Sequence, residues 1–254
     1  MVDFATYALP HAAPELLVVD VKGVLHRSVD GGQHWSVAQT PTPGRNNVVN
    51  RIHLSGATLV VETSNNQIYQ RIDAERWRDL GRLPHGAKVV AVVAGNNETL
   101  LAATSSGLFR HYRDTPWKLM ESSSGWYFSA LIAGSDPHEW LATTRETAVL
   151  RSRNDGESWR RIGYGMRKVD QADAYAASHF SVLKRAGPNQ LYLGGFTGLL
   201  ESSDRAETWR ELLTLEDQSV MAVAHVSGSD TVFLAYQPSG LWRSNDAGAS
   251  FTQV

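Results

Sequence analysis

The chain has 254 residues, with 24 Lys and Arg against 26 Asp and Glu and a formal net charge of −2. That balance argues against a basic nucleic-acid groove or a polybasic membrane anchor, and the absence of Cys excludes disulfides, thiolate nucleophiles and cysteine-ligated metals. The start Met1-Val2-Asp3-Phe4 lacks the basic and apolar regions of a secretory leader, and the longest apolar run, Val89 to Ala94, is too short to cross a bilayer. With Met1 as the natural start, the expectation is a cytoplasmic protein without membrane insertion.

The predicted elements are short strands in a repeating order. The first strand falls at 4–9, with Ala13 at its turn, and the second at Leu16-Leu17-Val18-Val19. The repeat is clearest further on. Val89-Val90-Ala91-Val92-Val93 is a strand, Gly95 turns it, and Leu100-Leu101-Ala102-Ala103-Thr104 returns. Ser105-Ser106-Gly107 turns again, Leu108-Phe109-Arg110 is a third strand and Trp117-Lys118-Leu119 a fourth. Strand, glycine turn, strand is an antiparallel meander, and four such strands make a propeller blade. The same frame places first-turn glycines at Gly56, Gly134, Gly187 and Gly228. Second strands follow at Leu59-Val60-Val61, Trp140-Leu141-Ala142, Leu191-Tyr192-Leu193 and Val232-Phe233-Leu234.

A short phrase marks the repeat. It reads Ser28-Val29-Asp30-Gly31-Gly32-Gln33-His34-Trp35 and returns as Ser152-Arg153-Asn154-Asp155-Gly156-Glu157-Ser158-Trp159. It returns again as Ser202-Ser203-Asp204-Arg205-Ala206-Glu207-Thr208-Trp209 and as Ser244-Asn245-Asp246-Ala247-Gly248-Ala249-Ser250-Phe251. Worn copies pair Asp73 with Trp77 and Asp114 with Trp117. The six aromatics are spaced by 42, 40, 42, 50 and 42 residues, a period belonging to propeller blades. The expectation is one all-β domain over 1–254, a six-bladed β-propeller. Its blades fall at about 1–39, 40–80, 81–120, 121–162, 163–213 and 214–254, with no long helix outside 163–178.

The phrase resembles the Asp-box, or BNR repeat, of sialidase-like β-propellers. Gly240-Leu241-Trp242-Arg243-Ser244-Asn245-Asp246-Ala247-Gly248 is similar to repeats of the photosystem assembly-factor group in that superfamily. The resemblance implies boxes in the turns between third and fourth strands, with structural work for their residues. An Asp or Asn side chain accepts hydrogen bonds from backbone two residues on. Gly32, Gly156 and Gly248 supply positive φ, Ser28, Ser152, Ser202 and Ser244 cap the hairpin, and the aromatic buries its ring between outer strands.

The resemblance also raises enzymatic activity. Family sialidases carry an Arg-Ile-Pro motif whose Arg helps clamp the substrate carboxylate, a task suited to bidentate guanidinium. Here Arg51-Ile52, Arg71-Ile72 and Arg161-Ile162 are followed by His53, Asp73 and Gly163, never Pro. His138-Glu139-Trp140-Leu141-Ala142 has Ala where a zincin needs its second His. No catalytic residue, metal or cofactor is assigned. Asp170, Asp173, Glu216 and Asp217 are loop acids that would serve a glycosidase only as a pair across one site.

Two groups of residues are candidates for binding. The 50-residue spacing reflects an enlarged loop, 163–177, in which Tyr164, Arg167, Lys168 and Tyr175 make a contact surface, because long loops on rigid scaffolds carry function. Trp126 and Tyr127 sit at the preceding junction and either stack on a partner or fill the junction. Arg51, His53, Lys184 and His225, with Arg185 nearby, either converge to attract an anionic partner or are neutralised by neighbouring carboxylates. The function read from the chain is a non-catalytic, protein-binding scaffold or assembly component, with a carbohydrate-binding protein or divergent glycoside hydrolase as the alternative.

Overall fold

The computed structural model describes residues 3–7 as backbone, and 15–41, 48–83, 87–95, 98–144, 149–163, 180–196, 198–214, 219–226, 228–237 and 240–254 in full. The described strands form six four-stranded antiparallel sheets, each made of four consecutive strands. The fold is an all-β, six-bladed β-propeller. The chain divides into two compact units, Met1–Thr104 with Leu108–Glu121, and Ser105–Gly107 with Ser122–Val254.

The N-terminal unit carries three blades. The first is β1 (Asp3–Tyr7), β2 (Glu15–Val19), β3 (Leu25–Ser28) and β4 (Ser36–Val37). The second is β5 (Val49–Ser55), β6 (Thr58–Thr63), β7 (Gln67–Arg71) and β8 (Trp77–Arg82), and the third is β9 (Val89–Ala94), β10 (Thr99–Thr104), β11 (Gly107–Tyr112) and β12 (Lys118–Leu119). The C-terminal unit carries the other three. They are β13 (Phe128–Ala133), β14 (Trp140–Thr144), β15 (Val149–Ser152) and β16 (Arg160–Ile162); β17 (Phe180–Arg185), β18 (Leu191–Gly195), β19 (Gly198–Ser202) and β20 (Arg210–Thr214); and β21 (Ser219–His225), β22 (Val232–Gln237), β23 (Gly240–Ser244) and β24 (Thr252–Gln253). One turn of 3-10 helix, Glu121–Ser123, is the helix among the described residues.

Within each unit the first strands of successive blades pack together, β1 on β5 on β9 and β13 on β17 on β21. The second strands lie inside their sheets; those of blades two to five are covered on both faces, whereas β2 and β22 alternate buried and half-buried residues. Every residue of β14 and β18 is buried, so these segments read as apolar runs rather than as alternating strands. The fourth strands are solvated edges. Three of them, β4, β12 and β24, have two residues each, and short edges offer little template for unwanted strand pairing.

The core lies between successive blades. Leu17, Val19 and Leu25 of blade one meet Ile52, Leu59 and Val61 of blade two. Leu141, Val149 and Ile162 of blade four meet Leu183, Leu191 and Leu193 of blade five. Each fully buried aliphatic side chain contributes about 1.5–3 kcal/mol. Blades five and six approach too closely for a side chain at Gly194, where an added Cβ would stand 2.7 Å from Val220 Cγ1.

A feature absent from the sequence reading recurs in the first strands. The register between first and second strands slips by one residue in blades two to six, leaving Asn50, Val90, Ser129, Ser181 and Met221 unpaired. A bulge of this kind bends the strand and raises its twist. In blades three and six the carbonyl just before the extra residue accepts a hydrogen bond from the preceding blade. Arg51 Nη1 donates to Val89 O at 3.0 Å, and Ser181 Oγ to Val220 O at 3.1 Å.

Candidate functional site

The four intact phrases span the turns between third and fourth strands in blades one, four, five and six. Their geometry repeats closely. The Oγ of Ser28, Ser152, Ser202 and Ser244 accepts from the backbone N of Gly32, Gly156, Ala206 and Gly248 at 2.8–2.9 Å. The Oδ1 of Asp30, Asn154, Asp204 and Asp246 accepts from the N of His34, Ser158, Thr208 and Ser250 at 2.9–3.0 Å. The expected bond to backbone two residues on is replaced by one four residues on. The reason is two successive left-handed residues, as at Gly31 (φ 75°) and Gly32 (φ 92°), which carry the chain around before the acceptor is met.

Those conformations make one glycine position more demanding than another. Gly248 has φ 89°, and an added Cβ would stand 2.7 Å from Leu212 Cδ1; Gly31 has φ 75° with open space around it. Gly31→Ala should cost about 1 kcal/mol through backbone strain alone, and Gly248→Ala about 1–3 kcal/mol more through overpacking. Urea melts of the two variants measure the difference; equal costs would refute the packing argument.

The box carboxylates are held ionised. The backbone N–H of His34, then its imidazole and the Ser28 hydroxyl, bring Asp30 down to about 2. The Ser244 hydroxyl, then Ser250, do the same for Asp246. A group depressed in the folded chain contributes stability above its unfolded value and loses it as pH falls through the folded value. The loss from these two boxes therefore falls between pH about 4 and about 2. Asp30→Asn with Asp246→Asn should flatten that acid limb in denaturant titrations, since Asn154 keeps the same turn without titrating. An unchanged limb would show that the acid sensitivity lies elsewhere.

The box aromatics divide. Trp117 and Trp209 are buried, Trp77, Trp159 and Phe251 half-buried, and Trp35 is 44% exposed. Trp35 Nε1 donates to Gly32 O and Trp159 Nε1 to Gly156 O, both at 3.0 Å, so these rings fold back over their own turns. Trp77 Nε1 instead reaches Gln39 O at 3.1 Å.

Buried charges form a frame that the sequence reading missed. Glu15, at the start of β2, accepts from Arg27 Nε of its own third strand at 2.5 Å and from Arg71 of the next blade. Glu139, before β14, lies 3.2 Å from Arg151 Nε of its own third strand and accepts from Arg205 Nη2 of the next blade at 2.9 Å. Burial raises Glu139, but Arg205 and the amides of Ser135 and Asp136 outweigh it and hold the carboxyl below its ordinary value. In blade five, Glu201 accepts from Gln190 at 2.8 Å and pairs with Arg210 at 2.5 Å. The signal available was a Glu just before two second strands and an Arg just before three box serines, Arg27, Arg151 and Arg243.

The structure separates the predicted binding residues by environment. In the N-terminal unit His53 is buried opposite Val60, its Nε2 3.8 Å from Glu62 Oε2. Arg51 is engaged with the Val89 carbonyl. In the C-terminal unit Lys184 is exposed on β17, and His225 is half-buried with its ring 6.3 Å from that of Tyr192. Arg185 donates to Ser135 Oγ at 2.8 Å and to Ala133 O at 3.2 Å, fastening blade five to blade four. Trp126 is half-buried and stacks toward Phe128 at 6.0 Å, whereas Tyr127 is 38% exposed. Tyr164, Arg167, Lys168 and Tyr175, with the loop from 164 to 177 and the acids Asp170, Asp173, Glu216 and Asp217, lie outside the described residues. Among the described residues no group of His, Asp or Glu is placed to hold a metal ion.

Six four-stranded blades, box-like turns and inter-blade ion pairs place the chain among the six-bladed β-propellers. Its structure is similar to that of YCF48 from Cyanidioschyzon merolae, with 14% identity, 99% of this chain and 84% of that one covered, and a TM-score of 0.70. It is also similar to the WD40 β-propeller domain of Doa1, at 8% identity, 99% and 80% coverage and a TM-score of 0.66. The GH74 enzyme of Niastella koreensis matches at 15% identity and a TM-score of 0.64, with 99% of this chain covering 37% of the enzyme. At such identities the likeness is one of fold, and fold does not carry function. No protein-family model and no curated protein sequence matches the chain.

Proposed function

We propose that this propeller is a non-catalytic, protein-binding scaffold of the Asp-box type, acting as an assembly factor or as a component of a larger complex. One observation carries the reading. Three of the four buried carboxylates among the described residues face a guanidinium, Glu15 with Arg27 and Arg71, Glu139 with Arg151 and Arg205, and Glu201 with Arg210, and the fourth, Glu62, lies 3.8 Å from His53 Nε2. A glycosidase needs one carboxyl kept protonated by an apolar setting, and cation pairing works against that. The box carboxylates are likewise engaged in their own turns. Solvent-facing apolar side chains support protein contact: Val21 and Val37 on blade one, Met221 and Leu241 on blade six.

The second reading, a carbohydrate-binding protein or divergent hydrolase, rests on the exposed ring of Tyr127 beside Trp126. Affinity capture with the full chain, run beside a glycan array and a fluorogenic glycoside panel, tests both. A reproducible protein partner whose capture is lost on competition with untagged chain supports the scaffold. Glycoside turnover, or saturable glycan binding abolished by Tyr127→Ala, overturns it.

A further inference from the structure

The six blades share one structural position at the start of the second strand. Strand register aligns Glu15, Thr58, Glu139, Gln190 and Thr231, each two residues before the partner of Arg27, Gln70, Arg151, Glu201 or Arg243 in the third strand. Thr99 joins them because Arg113 N–H donates to Glu98 O as Arg205 N–H does to Asn189 O. At two junctions this position is a buried glutamate that takes a guanidinium from the following blade: Arg71 for Glu15 and Arg205 for Glu139. At the junction of blades two and three the position is Thr58, yet the following blade still presents an arginine, Arg113. The carboxylate is missing and the cation is kept.

A cleft of about 230 Å³ opens there, lined by Thr58 and Gln70 of blade two, by Thr99, His111 and Arg113 of blade three, and by Arg78. Leu80 and Leu100 supply apolar wall. Arg113 lies over the Tyr112 ring, 5.1 Å from its centroid, and is in no ion pair among the described residues. Arg78 Nη2 meets Asp114 Oδ1 at 2.5 Å, an acid that is almost fully exposed. His111 is buried, and burial followed by the charge of Arg78 holds its imidazole below the ordinary value. It is therefore neutral near pH 7 and able to donate one N–H. Exposed Glu98 adds one negative charge to the lining.

We propose that this cleft binds a carboxylate, which takes the place held by the Glu15 and Glu139 side chains at the other two junctions. Arg113 and Arg78 supply charge-assisted hydrogen bonds, and Thr58, Gln70 and His111 supply neutral donors. The volume is below that of pockets for drug-sized ligands. It suits a small organic acid or one acidic side chain of a partner protein. The proposal does not depend on the scaffold reading, since the site is defined by its own lining.

The test is an NMR titration of the full chain with four probes: glutarate, glutaramide, acetyl-glutamate N-methylamide and acetyl-glutamine N-methylamide. At least one carboxylate probe should give saturable shifts at the amides of Thr58, Thr99 and His111, and its neutral counterpart should not. A response to glutarate alone assigns the site to a free acid; a response to the glutamate probe assigns it to a partner's side chain. Arg113→Gln should weaken binding about tenfold. Thr58→Glu supplies the carboxylate from within, so it should abolish binding and hold or raise the thermal midpoint. The proposal is overturned if neither carboxylate shifts these residues, if the amides act as well as the acids, or if both variants bind like the parent chain.

Discussion

Replacing Arg151 by methionine should destabilise the protein by about 3 kcal/mol, the lower end of what removing one partner of a buried ion pair costs. The Arg151 and Glu139 side chains are each 2% exposed. Arg151 also serves Glu207 and the carbonyl of Arg205, joining blade four to blade five. Without it, Glu139 remains buried with Arg205 and the amides of Ser135 and Asp136 as its support, which keeps the loss from reaching the top of the range. The comparison is Arg160→Met. That guanidinium meets the same Glu207 at 3.3 Å but is 60% exposed, so its loss should cost less than about 1 kcal/mol. Chemical denaturation of both variants measures the difference. Equal losses would mean that burial is not what makes Arg151 matter.

Trp140→Ala should cost about 3–5 kcal/mol, the range for emptying a large aromatic site in a packed core. Trp140 is the largest of the fully buried side chains and sits at the start of β14, opposite Ala133 and Ser152. Its Nε1 has no hydrogen-bond partner among the described residues. Trp140→Phe therefore forfeits volume but no hydrogen bond, and should lose well under half as much. If phenylalanine proves as damaging as alanine, the indole N–H has a partner, such as a bound water, that matters to stability.

How much of this was legible beforehand differs from element to element. The second strands of blades four and five could be located because both faces are covered, so every residue of Trp140–Thr144 or Leu191–Gly195 must be apolar or small. The box turns could be located because a Ser, an Asp or Asn two residues on and an aromatic seven residues on recur at each of the four intact turns, the side chains that satisfy the turn's own backbone donors. The bulges at Asn50, Ser129, Ser181 and Met221 could not, because an extra residue on one strand is defined by its partner's register. Nor could the fates of the basic residues. Arg51 and His53 are two apart on one strand, yet one reaches a carbonyl of the next blade and the other is buried against Glu62.

The sequence by itself determined the repeat, the four-stranded blade and the count of six, because strand periodicity and turn chemistry act over a few residues and leave a mark in composition. Only the tertiary structure decided which charges meet. Glu15 and Arg71, and Arg151 and Glu207, are each 56 residues apart in the chain, more than one repeat, and their pairing is set by how successive blades face each other. The cleft at Thr58 and Arg113 has the same origin. A threonine in place of a glutamate is unremarked in one blade and becomes a vacancy only when the next blade brings an arginine to it.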